Sequence, residues 1–174
     1  MIGNSSIKKI SAKNWVIPAS FTHVFFRSSG GGETVEEIDV TGWDLSNASN
    51  IDGVFAGNDS RGSNLNSIIG LDTWDTSNIT NMGGLFFQLP SLTSLDLSSF
   101  DTSNVTDIST MFLNCTGFTE LDLSSFDLSN VTSSGSMFYG CTSLTTVYAR
   151  TQADADILNA TTYKPDNVHA IVKT

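Results

Sequence analysis

The sequence predicts an α/β repeat solenoid, a coil of short parallel strands and short helical turns with a cap at each end. Two observations predict this class: a unit of about 26 residues recurs along the chain, and the apolar residues occupy the same positions in each unit. One unit cannot bury its apolar side alone, so neighbouring units must share a core. With 39% hydrophobic residues in 174, the chain has enough apolar material for that core.

The repeat is clearest in the second half of the chain. Residues 92–101 match residues 118–127 at an offset of 26, and Cys115 and Cys141 keep that offset. Earlier units contain Trp43 and Trp74, with the extra residues between them mostly in the turn 57–64. The register predicts three interior columns: Phe55, Phe86, Phe112 and Phe138; Ile38, Leu95, Leu121 and Val147; Trp43, Trp74, Phe100 and Phe126.

Each unit begins as a strand and continues as a helical turn. Leu92, Leu95 and Leu97 have the spacing L-x-x-L-x-L, which places Leu95 and Leu97 on one face of a short strand. Intervals of three and four residues follow, which indicate a one-sided helical stripe. This stripe consists of Val105, Ile108, Met111, Phe112 and Cys115.

These motifs carry a resemblance to a known family. L-x-x-L-x-L within a 26-residue period resembles a leucine-rich repeat, and W/F-D-x-S-N-V-T-x-(M/I)-x-x-M-F-x-x-C/L resembles its BspA-like branch, between Val35 and Tyr148. The resemblance implies a leucine-rich-repeat-like right-handed coil, displayed on a bacterial surface for adhesion to host proteins or other cells. Trp or Phe replaces the usual ladder asparagine, so we expect the polar ladder at Asn47, Asn78, Asn104 and Asn130.

Both ends are predicted to be caps. Residues 1–34 form the N-terminal cap, 35–148 the solenoid and 149–174 the C-terminal cap, together one folding unit. The first cap is expected to hold strands at 7–10 and 15–17, a half-coil at 18–27 with Phe25 in the Phe55 column, and a turn at 30–32. In the second cap, residues 151–159 indicate an N-capped helix and 168–172 a closing strand after Pro165.

The net charge argues against nucleic acid as a partner, and the distribution of apolar residues argues against a membrane-spanning segment. Eight basic and 18 acidic residues give a net charge of −10, which repels nucleic-acid phosphates and anionic lipid head groups. No apolar run approaches the roughly 18 residues of a membrane span, and residues 1–13 lack the charged-then-apolar pattern of a signal peptide. We expect an extracellular, cell-surface or virion location, as part of a larger protein or assembly.

Catalytic and metal chemistry is not predicted. His23 and His169 lie in opposite caps, too far apart to share a site. No glycine-rich phosphate loop follows a strand, so we expect neither enzymatic activity nor a cofactor. Cys115 and Cys141 are expected to be buried free thiols, because a disulfide needs Cα atoms within about 7 Å and the helical faces of successive coils usually stand farther apart.

The aspartates fall into two columns. Asp44, Asp75, Asp101 and Asp127 each precede a serine by two residues, and an Asp at this offset accepts hydrogen bonds from the next turn's N–H groups. The second column, Asp39, Asp96 and Asp122, is predicted to point outward from the strands without basic neighbours. Solvent, a cation or a basic partner is then needed to relieve the repulsion.

The outer strand face is the predicted binding surface. It is acidic and rich in hydroxyl groups, which favours a basic protein patch or a cell-surface ligand bound by a monomeric, non-catalytic adhesion module. Alternatives are the receptor-binding tip of a phage tail or similar assembly and, at lower rank, an ice-binding protein with a partial threonine ladder. The residues predicted to bind the partner are Glu37, Asp39, Asp96, Glu120, Asp122 and Tyr148.

Overall fold

Stacked turns of backbone make up a β-solenoid of about six coils with parallel strands and few helices, as predicted. The computed structural model describes residues 7–25, 35–57 and 63–174, so the predicted turn at 30–32 lies outside the described residues. The strands are β1 (Lys9–Ser11), β2 (Glu37–Asp39), β3 (Ser67–Ile69), β4 (Glu120–Leu123), β5 (Thr146–Ala149) and β6 (His169–Val172). A 3-10 helix spans Leu71–Thr73, and helix α1 spans Gln152–Asn159.

The strands form two parallel sheets, β1-β2-β3 and β4-β5-β6. Their register continues the predicted strand column: Ile38 is paired with Ile10 and Ile68, and Val147 with Leu121 and Ala170. In this column the extended segment around Leu95 lies between β3 and β4 but is not part of either sheet.

The side of each coil opposite the strands differs from the expected short helix. Successive turns replace it: Met111 N–H donates to the Ile108 carbonyl at 3.3 Å, while Phe112 N–H donates to the Met137 carbonyl of the next coil at 3.1 Å. Positive φ at Thr110 (55°) and Asn114 (58°) ends each turn before a helix can continue. The spacing nevertheless places the side chains correctly, because all five members of the predicted stripe are fully buried.

Two columns of stacked aromatic rings confirm the predicted interior. Phe25, Phe55, Phe86, Phe112 and Phe138 follow one another at centroid distances of 5.6–6.2 Å. The other column begins one coil earlier than predicted, because Trp15 stacks on Trp43 at 5.7 Å instead of belonging to a strand. The separation of 28 residues between these tryptophans equals that of the paired residues Lys9 and Glu37.

The caps continue the same core. Thr151 caps α1 in a capping box with Asp154, and β6 closes the second sheet, both as predicted. A single cluster of buried residues runs from Ala12 to Ala170 and crosses both predicted cap boundaries. Within the described ranges, no helix is long and apolar enough to cross a membrane.

Candidate functional site

The predicted partner-binding residues fall into two groups. Glu37 and Asp39 lie on β2 in the first sheet, and Glu120, Asp122 and Tyr148 lie on β4 and β5 in the second. Asp96, on the extended segment before β4, lines a groove together with Asp122. The structure therefore places Asp96, Glu120, Asp122 and Tyr148 on neighbouring coils, and the β2 pair lies two coils before Asp96 and three before Asp122.

Two members of the Asp39, Asp96 and Asp122 column have basic partners, contrary to the prediction that the column has none, and Glu37 beside them has one as well. Lys13 lies 2.8 Å from Asp39, Lys9 lies 3.1 Å from Glu37, and Lys173 pairs with Asp122. The lysines come from the two caps, because the coil register places β1 beside β2, and the end of β6 lies near β4. These ion pairs could not be predicted from the sequence, because the paired residues lie far apart along the chain.

Asp96 keeps its predicted unpaired charge. Among the described residues, no lysine or arginine lies within ion-pair distance of this exposed carboxylate. The Ser98 hydroxyl and N–H donate to Asp96 Oδ1 at 2.6 and 3.0 Å, and these bonds lower the pKa of the Asp96 carboxyl below its ordinary value. Asp96 is therefore a fixed negative charge at neutral pH and in mild acid.

Both aspartate columns cap turns. The predicted column is confirmed by N–H donors at 2.9–3.1 Å two residues after Asp44, Asp75, Asp101 and Asp127. Asp39 and Asp122 accept equivalent bonds from Thr41 and Ser124, and Asn50, Asn81 and Asp107 do so at a third corner. The motif D-x-S/T also occurs on the strand side, so the turn-capping role of Asp39 and Asp122 could have been predicted from the sequence.

Tyr148 provides the aromatic part of the candidate site. Its hydroxyl donates to Glu120 Oε2 at 3.5 Å, across the β4–β5 pair. A groove of about 530 Å³ runs beside it, bounded by residues 93–95 and 119–122, Tyr148 and Lys173. Together with Asp96 on the neighbouring extended segment, these residues combine three carboxylates with one ring and one paired lysine.

Other candidate groups serve the stack of coils. The hydroxyls of Thr80, Thr106 and Thr132 donate to a carbonyl of the preceding coil at 3.1–3.2 Å. Of the four asparagines of the expected polar ladder, Asn104 and Asn130 donate bonds of 2.7–2.8 Å to carbonyls of the preceding coil. The ladder of threonines proposed for ice contact therefore also ties coils together.

The thiols are buried and free, as predicted. The Sγ atoms of Cys115 and Cys141 lie 2.9 Å from the carbonyls of Phe86 and Phe112 in the preceding coil. Burial raises the pKa of both thiols, to about 12 for Cys141, which leaves them protonated and unreactive in the folded chain. Across the described residues, no three His, Cys, Asp or Glu side chains are grouped closely enough to hold a metal ion.

Comparison with known proteins supplies one family. Residues 20–151 match the profile described as "Mycoplasma protein of unknown function, DUF285". No curated protein and no solved structure matches significantly. The matched range contains the repeated coils from the first aromatic residues of the Phe column to the start of the C-terminal cap. Since it covers three quarters of the chain, the protein belongs to this DUF285 family.

Proposed function

We propose that this protein is a non-catalytic recognition module that binds a basic protein partner through the outer face of its second sheet. The observation that carries the proposal is the row of Asp96, Asp122 and Glu120, in which Asp122 shares one groove with Asp96 and another with Glu120 and Tyr148. Asp96 has no basic partner among the described residues. A solenoid presents such a row on a rigid support, because each carboxylate is positioned by its own coil.

Electrostatics favours a basic partner over a neutral one. The Asp122–Lys173 pair is about half exposed on both sides, so water screens it and a partner cation can replace Lys173 at little cost. The bonds from serine lower the pKa of Asp96, and hydrogen bonds from Lys173 and Ser124 lower the pKa of Asp122 against the opposing effect of burial. Both charges therefore remain available to attract a cationic surface.

The resemblance of the repeat to the BspA-like branch supports the same proposal at a finer level. Members of that branch are surface proteins, so it favours display on a cell surface and adhesion to a host protein or another cell. The receptor-binding tip of a phage tail is the alternative biological setting. Both settings use the same chemistry, a carboxylate-rich face against a basic patch.

The test compares two variants with equal loss of charge. Asp96→Asn/Glu120→Gln/Asp122→Asn neutralises the proposed face, and Asp44→Asn/Asp75→Asn/Asp101→Asn neutralises another corner; asparagine can still accept the turn N–H bonds in both. The probe is a fluorescent octalysine peptide, titrated at low and at physiological salt. We expect the first variant to raise the Kd about tenfold or more at low salt, equivalent to about 1.4 kcal/mol.

The control variant is expected to change the Kd by about twofold or less, because its charges lie away from the cluster. Equal weakening by the two variants would show that only the net charge matters. The outer carboxylates would then serve solubility, and the proposed binding face would be wrong.

A further inference from the structure

The sheet is interrupted in the middle of the solenoid. In the described part of the chain, β3 pairs only with β2, and β4 pairs only with β5. Residues 93–96 lie between these strands, and their main chain makes no hydrogen bond to either of them. On the opposite side of the same coils the ladder continues, since Phe86 N–H donates to the Met111 carbonyl at 3.0 Å. We call the space between β3 and residues 94–96 the sheet gap.

An inserted residue accounts for the β3 side of the interruption. Trp74 lies six positions after Ile68, whereas Phe100 lies five positions after Leu95 and Trp43 five positions after Ile38. The extra residue is accommodated by Gly70, at φ 92°, and by the 3-10 helix after it. This coil also has Ile69 where its neighbour β2 has Asp39, so it lacks that strand-side turn cap.

The open edge of β3 offers unpaired polar groups. Ser67 N–H donates to the Glu36 carbonyl and the Ile69 carbonyl accepts from Val40, so both face β2. Alternate residues of a parallel strand direct their polar groups to opposite sides, which turns the N–H and C=O of Ile68 toward the sheet gap. Such an edge is a template for another strand.

The floor of the sheet gap is apolar and its rim is acidic. In the strand column, Ile38, Leu121 and Val147 are at most 3% exposed, but Ile68 and Leu95 are only partly buried. The gap therefore exposes side chains of the core to solvent. Its volume is about 450 Å³, and its charged lining residues are Asp72 and Asp96.

We infer that the sheet gap binds an extended peptide segment of a partner protein, in which apolar and basic residues alternate. The peptide backbone pairs with Ile68, its apolar side chains cover Ile68 and Leu95, and its basic side chains reach Asp72 and Asp96. Strand addition of this kind obtains affinity from the main chain and specificity from alternate side chains. The inference rests on the proposed function only in taking a basic protein as the partner.

The probe is the acetylated and amidated pentapeptide Lys-Val-Lys-Val-Lys, labelled with a fluorophore. We expect it to bind the full chain and to slow hydrogen exchange of the Ile68 amide by about tenfold or more, because that amide becomes hydrogen-bonded. The Ala155 amide, already bonded within α1, serves as the internal control and should not change. An Ile68 amide that is protected before peptide is added would overturn the inference, since the chain itself would then close the gap.

Two comparisons separate strand addition from simple charge attraction. A copy of the peptide methylated at every internal amide keeps its side chains and charge but loses its N–H donors, and it should bind at least about tenfold more weakly. Asp72→Asn/Asp96→Asn should also weaken binding, while the matched control Asp75→Asn/Asp101→Asn should not. Equal binding of the methylated peptide would overturn strand addition.

The peptide test and the octalysine test can succeed or fail independently of each other. One outcome is that octalysine binding depends on Asp96, Glu120 and Asp122 while the alternating peptide neither binds nor protects Ile68. That result would support the acidic binding face and reject the peptide site in the sheet gap. If the alternating peptide binds and protects Ile68 while octalysine binds the two triple variants equally, the peptide site in the sheet gap is supported and the broader acidic binding face is rejected.

Discussion

At the scale of single residues, the core is built around one recurring position, the aromatic ring that stacks on its equivalents in the coils before and after. Phe112 is fully buried, lies 5.6 Å from Phe86 and 6.2 Å from Phe138 between ring centroids, and meets the edge of Phe118 at 6.0 Å. Because rings above and below hold its neighbours in place, the site has little freedom to collapse around a cavity.

We therefore expect Phe112→Ala to lower the free energy of unfolding by about 3–5 kcal/mol. Tyr139→Ala is the matched control, because Tyr139 is half exposed and has a ring contact only with Tyr163 among the described residues. It should cost less than about 1 kcal/mol. Urea denaturation followed by far-UV circular dichroism measures both, and similar losses for the two variants would contradict the column.

At the scale of elements, the corners decide how each coil follows the previous one. Gly70 links β3 to the 3-10 helix at φ 92°, and a Cβ added there would lie 2.4 Å from main-chain atoms of Thr41 in the preceding coil. Main-chain atoms cannot yield as a side chain can. Glycine is therefore needed at position 70 for two reasons: the backbone is left-handed there, and the neighbouring coil leaves no room for a side chain.

Gly70→Ala should accordingly destabilise the chain by at least about 1–2 kcal/mol, the cost of the left-handed conformation alone. Gly135→Ala provides the control, since its φ is not positive and an added Cβ would meet only the Thr162 hydroxyl at 3.6 Å. Thermal unfolding of the two variants tests the difference. A Gly70→Ala chain as stable as the control would mean that the corner relaxes without cost.

Sequence periodicity predicted the interior columns of the regular coils correctly, but it did not predict the backbone pairing at the coil with an inserted residue or the ion pairs made by the caps. The columns through Phe112 and Phe126 follow from fixed offsets, because a solenoid converts spacing in sequence directly into stacking in space. The sheet gap was missed because one inserted residue changes backbone pairing without disturbing the Trp74 position. The partners Lys13 and Lys173 were missed because the caps have no exact repeat from which to read a register.

At the scale of the whole molecule, acid has two opposing effects on this chain. Lowering the pH neutralises carboxylates and so relieves the repulsion that accompanies a net charge of −10. Yet capping bonds lower the pKa of carboxyls throughout the solenoid, as serine donors do at Asp44, Asp75, Asp101 and Asp127. Each depressed pKa means that the unfolded chain takes up the proton more readily than the folded chain.

We expect the second effect to prevail at low pH. Asp39 illustrates the sign: the hydrogen bond from Lys13 and those from Thr41 lower its pKa from 3.8 to about 2. A depressed carboxyl contributes its stability above the unfolded value and loses it as the pH falls through the folded value. The free energy of unfolding, measured with urea, should therefore decrease between pH 4 and pH 2, and Asp39→Asn should decrease less steeply over the same interval because asparagine does not titrate. A chain that instead becomes steadily more stable from pH 7 to pH 3 would show that charge repulsion outweighs the capped turns.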